Sequence, residues 1–421
     1  MKIVIVGGGF AGVNLAQELA GDKRIEVTLV DKNNYNFFPP LIYQVATAFL
    51  EPSSISYPFR KLFRHAGNIG FRMGEVLSVN ISEKKVILHN GELDYDRLVF
   101  ATGAETNYFG MENVRKNAIP MKTLNDAIEM RNQLLQRMEK ATICKNSRER
   151  RKYLNIVVAG GGPTGVEVSG MFAEMKNGIL RKEYPELSTS ASHIYLVDGG
   201  DALLSPMSKD SQQDTLDALT KMGVVVKLNT RVTDFTDDTV HLSTGETIHS
   251  KNLIWAAGVS AKVFEGIPVE SYGPGRRMLV DEYNKILNVT DIYAIGDTCL
   301  QTTDTDWPKG HPQVAQVAIQ QGKNLAKNFK NELKNKPSKA FKYNDKGSMA
   351  IIGKNKAVVD LPKPKMHFKG FIAWLMWLFI HLMSLIGYRN RIVTAYNWMI
   401  AYFSRDQSLR MIIRPDKRSK T

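Results

Sequence analysis

Two glycine clusters carry the first chemical signal in this 421-residue chain. Gly7, Gly8, Gly9 and Gly12 follow the apolar run Ile3-Val4-Ile5-Val6, and Gly160, Gly162 and Gly165 follow Ile156-Val157-Val158-Ala159. At this spacing the first glycine of the motif permits a tight turn. The second lets backbone approach a pyrophosphate, and the third lets a helix pack closely on a strand. Amides at the helix start, aided by its dipole, then bind the phosphates. Each set is completed by an acid closing the next strand, Asp31 after Glu26–Val30 and Asp198 after His193–Val197. Such a carboxylate suits ribose hydroxyls; for Asp31 the alternative is a loop cap. Gly199 and Gly200, rather than Arg, follow Asp198. That arrangement repels a 2′-phosphate and favours NADH over NADPH at the second set.

Further residues add to these. Glu167, two residues after Gly165, reads as a first-turn carboxylate of the second helix, either stabilised there by the helix N-terminus or placed beside a nicotinamide. Asn14 stands at the equivalent place in the first set, so the two have diverged. Thr290–Asp297 is a short apolar strand delivering Gly296 and Asp297, and the acid suits a ribityl hydroxyl. Cys144 and Cys299 are the only cysteines, with no CxxC pair. They supply neither a disulfide framework nor a zinc or iron–sulfur set, no metal is expected, and a reducing, cytosol-facing location fits.

The elements that position these residues repeat. IVIVGGGFAGVNLAQEL (3–19) returns as IVVAGGGPTGVEVSGMF (156–172), and YDRLVFATGAET (95–106) returns as SKNLIWAAGVSA (250–261). Each pair is strand, turn and helix followed by a strand ending in small residues, the signature of two Rossmann-like units. The polar stretch Arg181–Ser192 reads as an insertion in the second. The amino terminus breaks into glycines after four apolar residues, unlike a signal peptide.

The net charge is +14. From Lys363 onward eleven Lys/Arg face only Asp406 and Asp416. These basic residues flank the most apolar segment in the chain, which points to an anionic lipid surface rather than nucleic acid. Phe371–Tyr388 is eighteen residues without formal charge, roughly 27 Å as a helix and marginal against a bilayer core of about 30 Å. A span would place a strongly positive end outside, against the positive-inside rule. Trp377, His381, Ser384 and Tyr388 form a narrower polar stripe, and Ile392–Phe403 reads as a second apolar helix. Two helices lying in the headgroup region are expected; a buried dimer interface and a transmembrane anchor are the alternatives.

Taken together, the two dinucleotide units, the ATG and AAG turns and the terminal IYAIGD resemble the two-dinucleotide-binding-domain flavoproteins. NYNFFPPLIYQVAT (34–47), AQVAIQQG (315–322), FKYNDKGSMAIIGKNKAVVDL (341–361) and GFIAWLMWLFIHLMSLIGYRNR (370–391) make the chain similar to the type II NADH:quinone oxidoreductases. The resemblance implies tightly bound, non-covalent FAD at Gly7, Gly8, Gly9, Phe10, Ala11, Gly12, Asp31 and Lys32. Val76, Thr102, Gly103, Asp297 and Ala318 would complete that site. It implies NADH at Gly162, Gly165, Asp198 and Gly258, with Glu167 near the nicotinamide. Gln316 and Gln320, four apart on one helical face, would meet the quinone headgroup; the alternative is two glutamines satisfying a packed helix. Pro312 is expected at N1 of that helix. Tyr43, Gln44 and Lys354 are further quinone candidates, Lys354 equally a turn residue. The activity implied is hydride transfer from NADH to FAD and two electrons onward to menaquinone or ubiquinone, without proton pumping. A homodimer on the cytoplasmic face of the inner membrane is expected. A soluble-acceptor flavin or ferredoxin-type reductase, and a non-catalytic membrane-bound NADH sensor, are the rival functions.

The fold class expected is α/β, with two Rossmann-like domains and a C-terminal membrane-associating region. The FAD domain is placed at 1–115 and 265–330, the NADH domain at 116–264 and the C-terminal region at 331–421.

Overall fold

The two apolar tetrads become the central strands of two separate parallel sheets. A computed structural model describes residues 1–187, 192–404 and 410–413, so residues 188–191 of the expected insertion lie outside it. In the first sheet the strand order is Ile292–Ala294, Arg97–Phe100, Lys2–Val6, Glu26–Asp31, Ile69–Met73. All four pairings are parallel. In the second the order is Ile119–Pro120, Asn252–Trp255, Ile156–Ala159, Ile194–Val197, Val224–Lys227, again parallel throughout. Strands covered on both faces read as continuous Val/Ile/Leu runs, and these do.

The chain forms two units. The first holds 1–37, 57–105 and 259–345; the second holds 38–56, 106–258 and 346–421. The expected boundaries shift for identifiable reasons. Residues 331–345 belong with the first sheet, because Asn328 brackets the Lys339 backbone (2.8 and 3.0 Å) and Phe341 N–H donates to Glu282 O at 2.7 Å. The Phe264 ring packs 4.7 Å from that of Phe100, tilted by 32°, which draws 259–264 to the same unit. Residues 106–115 go to the second unit, where Trp255 Nε1 donates to Asn107 O at 2.8 Å. Residues 38–56 also join the second unit: an early loop meets the C-terminal tail across 354 positions, through Trp398 Nε1 and Gln44 Oε1 at 2.7 Å.

Within the first unit the helix Phe10–Leu19 packs on the long helix Ala315–Glu332. Gly322 makes this possible, since a Cβ there would lie 2.6 Å from Ala11 O. Within the second, the helix Pro163–Met175 runs along Ser348–Gly353, the edge strand of an antiparallel sheet with Lys356–Pro362 and Lys365–Lys369. That sheet leads directly into two helices, Gly370–Ser384 and Tyr388–Ser404. The eighteen uncharged residues are therefore not one helix. Leu385 leaves helical geometry and Gly387 takes φ +83°, which leaves fifteen helical residues, about 22 Å. Among the described residues no helix is long and apolar enough to cross a membrane.

Candidate functional site

In the first unit the glycine turn is held by sterics that admit no side chain. Gly7 adopts φ +104°, and a Cβ there would lie 2.3 Å from Ala101 O; one on Gly12 would lie 1.9 Å from Gly7 O. Gly9, the N-cap of the helix, faces open space instead, with nothing within 4 Å. Asp31 closes its strand with Oδ2 accepting Gly8 N–H (2.7 Å) and Oδ1 accepting Asn33 N–H (2.8 Å). It is thus a loop cap as well as a ribose candidate. Burial raises its pKa while the two amides oppose the rise. Asn36, which sequence reasoning missed, donates to Gly8 O at 2.6 Å. Lys32 is exposed, 3.9 Å from Glu75. Val76 points its side chain into the core, which leaves only its backbone available. Thr102 Oγ1 lies 3.3 Å from Thr298 Oγ1, and Gly103 (φ +66°) again faces open space.

The Gly296–Thr298 turn stands against this cradle. Gly296 takes φ +75°, with Ala11 and Ala318 so close that a Cβ would meet theirs at 3.2 and 3.4 Å. Its N–H donates to Gln321 Oε1 at 2.7 Å, and Gln313 Nε2 donates to Asp297 O at 2.9 Å. The long helix starts at Ala315, with Val314 extended as its N-cap. Pro312 therefore lies before the helix and not at N1, because the loop here turns to present Gln313 to Asp297. Gln316 and Gln320 do share a face, and that face meets the Tyr343 side chain and the Asn344 backbone. Gln320 accepts Asn344 N–H (3.0 Å) and donates to Asn344 O (2.9 Å), while Tyr343 Oη lies 3.4 Å from Gln316 Oε1. Gln320 is half-buried, and both ends of its amide are held by Asn344.

The second unit repeats the first cradle closely. A Cβ on Gly160 (φ +112°) would lie 2.4 Å from Ala256 O and one on Gly165 1.8 Å from Gly160 O, while Gly162 faces open space. Asp198 accepts Gly161 N–H (2.5 Å) and Gly200 N–H (2.7 Å). The Arg231 side chain packs over Gly199, bringing a guanidinium to the loop where the sequence has none. Gly258 is covered by the exposed Phe109, whose ring a Cβ would meet at 2.7 Å.

Glu167 departs from expectation. The helix begins at Pro163, so Glu167 sits in its second turn, buried, and its carboxylate accepts the Ile351 N–H of the edge strand. Burial raises its pKa well above the ordinary carboxylate value. Seven residues on, Glu174 accepts Lys354 N–H in the same way. Between them Gly170 lets the strand approach, as a Cβ there would lie 1.7 Å from Ile352 O. Two carboxylates thus cap the free edge of Ser348–Gly353.

Beyond that edge lies a pocket of about 370 Å³. It brings Tyr43, Gln44 and Lys354 together, with Glu174 on one wall and Trp374, Trp398 and Tyr402 of the C-terminal helices on another. Trp398 Nε1 donates to Gln44 Oε1 (2.7 Å), and Gln44 Nε2 donates to Tyr43 Oη (2.8 Å). Burial and the charge of Glu167 hold the Tyr43 phenol well above its usual pKa. Lys354 Nζ donates to Tyr402 O (2.7 Å) and stands 3.9 Å above the Tyr402 ring.

Comparison with known proteins decides the family. Residues 1–322 match the family model of pyridine nucleotide-disulphide oxidoreductases, and 346–406 match the NDH2 C-terminal domain. The Mycobacterium tuberculosis protein "Type II NADH:quinone oxidoreductase Ndh" is 33% identical, over 96% of this chain and 88% of its own length. The chain belongs to the type II NADH:quinone oxidoreductases. The Haemophilus influenzae "Type II NADH:quinone oxidoreductase" is 30% identical, over 86% of this chain and 87% of its own. Among solved structures, NDH2 from Plasmodium falciparum in complex with NADH matches with a TM-score of 0.88 at 23% identity, covering 98% of this chain and 99% of that one.

In this type II oxidoreductase the first cradle fits FAD: Gly9, facing open space at the helix start, leaves room for a pyrophosphate, and Asp31 ends the neighbouring strand. Neither cysteine is a redox partner of the other. Both are free, and burial pushes the Cys299 thiol up to about 11. The residues that sequence reasoning missed are mostly supports: Gln321, Glu174, Trp398 and Tyr402. Gln321 was within reach, since it shares the buried Ala318–Gly322–Leu325 face whereas Gln316 and Gln320 flank it.

Proposed function

We propose that this membrane-associated, FAD-dependent NADH:quinone oxidoreductase binds its quinone in the pocket beside the C-terminal helices. The chain is a non-pumping enzyme whose substrates are NADH and quinone. The observation that carries the proposal is the gathering of Tyr43, Gln44 and Lys354 with three aromatic side chains of those helices around one opening. Aromatic walls suit a quinone ring, and the Lys354 ammonium and Tyr43 hydroxyl suit its carbonyl oxygens.

FAD, when bound, supplies the two-electron relay between the substrates. Gly7, Gly8, Gly9, Phe10, Ala11 and Gly12 would hold its pyrophosphate, Asp31 and Lys32 its ribose end, and the Val76 backbone its adenine. Thr102, Gly103, Asp297 and Ala318 would line the ribityl and ring end. The amides opening Ala315–Glu332 stand beside the Asp297 turn and favour negative charge there. NADH is read at Gly162, Gly165, Asp198 and Gly258, with Glu167 at the inner end of that helix. Gln320 holds the Asn344 backbone and Gln316 accepts from the Tyr343 hydroxyl in this reading.

The C-terminal helices invert ordinary amphipathicity. Asn390, Thr394 and Trp398 face inward, bonding Ser56 O, Ser54 O and Gln44, and the polar stripe Trp377–His381 stacks inward at 3.8 Å. Phe371, Leu375, Phe379, Ile392, Tyr396 and Phe403 face outward. An apolar outer face rimmed by Lys/Arg is built for the headgroup region of an anionic leaflet. The cytoplasmic leaflet and a homodimer are part of this reading. Anaerobic NADH should bleach the flavin of the purified protein, and menaquinone or ubiquinone analogues should restore its colour. A Lys354→Met, Trp398→Leu double variant should bleach normally but recover at least tenfold more slowly. Normal recovery removes the pocket assignment, and failure of the wild type to bleach removes the enzymatic one.

A further inference from the structure

Behind the helix Pro163–Met175 the second unit encloses another cavity, of about 60 Å³. Its wall is apolar, chiefly Leu134, Leu135, Phe172 and Met175, yet it includes three cations, Arg131, Lys176 and Arg410, and no carboxylate. Two of the three are accounted for: Lys176 Nζ donates to Ser192 O at 2.5 Å, and Arg410 pairs with Glu183. Arg131 is different. It is 5% exposed, Nε is buried without a partner, and among the described residues its guanidinium makes no hydrogen bond or ion pair. Burial pulls its pKa down, but a guanidinium stays protonated. The Glu51 carboxylate acts on this charge through space without a hydrogen bond to it, and a buried polar N–H left without an acceptor is costly. The cavity is also bordered by Lys176, where the regular helix passes into a π-helical turn, Lys176–Leu180, a distortion common at functional sites.

We propose that this cavity binds a small anion with an apolar body, namely a short-chain alkyl carboxylate. Its two oxygens meet the Arg131 fork, and its chain lies among Leu134, Leu135, Phe172 and Met175. At about 10–15 Å³ of such space per water-sized sphere, the volume suits a chain of a few carbons and excludes a diacyl lipid. The site is separate from the quinone pocket: the two share no lining residue.

The test uses the full-length, flavin-loaded protein, with calorimetric titration and thermal melting against acetate, butyrate, hexanoate and hexanol. Carboxylate affinity should rise about fourfold per methylene and level off once the cavity is full. Hexanol should give no saturable binding, and Arg131→Met should abolish the hexanoate response while leaving ligand-free NADH oxidation intact. Equal binding of hexanol and hexanoate overturns the proposal, as does acetate binding as tightly as hexanoate, or a hexanoate response that survives in Arg131→Met. Should that variant fail to fold, the wild-type comparison of hexanoate with hexanol decides alone.

Discussion

Glu167 shows how far a single side chain depends on what lies across from it. Its carboxyl is buried against one amide of the edge strand, and burial dominates its raised pKa. A carboxyl whose folded pKa exceeds its unfolded value contributes stability that is complete below the unfolded value and is lost as pH rises toward the folded one. Glu167→Gln keeps the shape and the acceptor but does not titrate. Its melting temperature should therefore gain on the wild type progressively above about pH 4.5, as followed by calorimetry across pH 4–8; a difference that does not change with pH refutes the assignment. Gln321 makes the matching case in the first unit. Gln321→Leu would strand the Gly296 N–H and cost about 1–3 kcal/mol. Because Asp297 follows directly, flavin should be lost more readily, measured as the flavin-to-protein ratio after dialysis.

At the scale of elements, the antiparallel sheet at the root of the C-terminal helices is fastened by His367. Its Nε2 lies 2.9 Å from Asp214 and its Nδ1 3.0 Å from Asp360, which also accepts from Ser208 and Ser211 Oγ at 2.9 Å each. Lys369 Nζ reaches Asp214 at 2.9 Å. Desolvation opposes the charge on His367, but the two aspartates outweigh it and raise the pKa. The clasp is complete below the ordinary histidine value of about 6.5 and loosens as pH rises through the higher folded value. Amide exchange in Lys356–Lys369 should therefore accelerate between pH 6 and pH 9 more than intrinsic exchange does, and His367→Gln should flatten that excess. The sequence showed none of this: Asp214 lies on one helix and His367 on a strand 153 positions later, and nothing local links them. The glycine cradles were readable because every part of each lies in one continuous run of strand, turn, helix and strand, 3–31 in the first and 156–198 in the second. Glu167 was read from its distance to Gly165, and the strand that meets it came only with the fold.

For the whole molecule, the apolar face that the C-terminal helices turn outward is the surface proposed to meet the membrane. Phe379 is 65% exposed and Ile392 68%. Inserting such side chains into an interface gains about 1.5–3 kcal/mol each. Phe379→Asp and Ile392→Asp together should lower co-sedimentation with anionic vesicles at least a hundredfold. NADH oxidation with a water-soluble electron acceptor should be unchanged, because neither residue reaches a cradle. Vesicle binding by the double variant equal to wild type would place this face elsewhere.

Composition and local spacing were enough to establish two nucleotide cradles, the acids that complete them, and an apolar tail unlike the rest of the chain. These depend on backbone sterics and hydrophobic periodicity, which neighbouring residues settle among themselves. Tertiary structure alone decided that Gln321 supports the Gly296 turn, that Glu167 and Glu174 cap a strand edge, and that Tyr43 and Gln44 meet Trp398. Such partners are chosen by burial, which commits each polar group to whichever donor or acceptor the packed chain brings within reach.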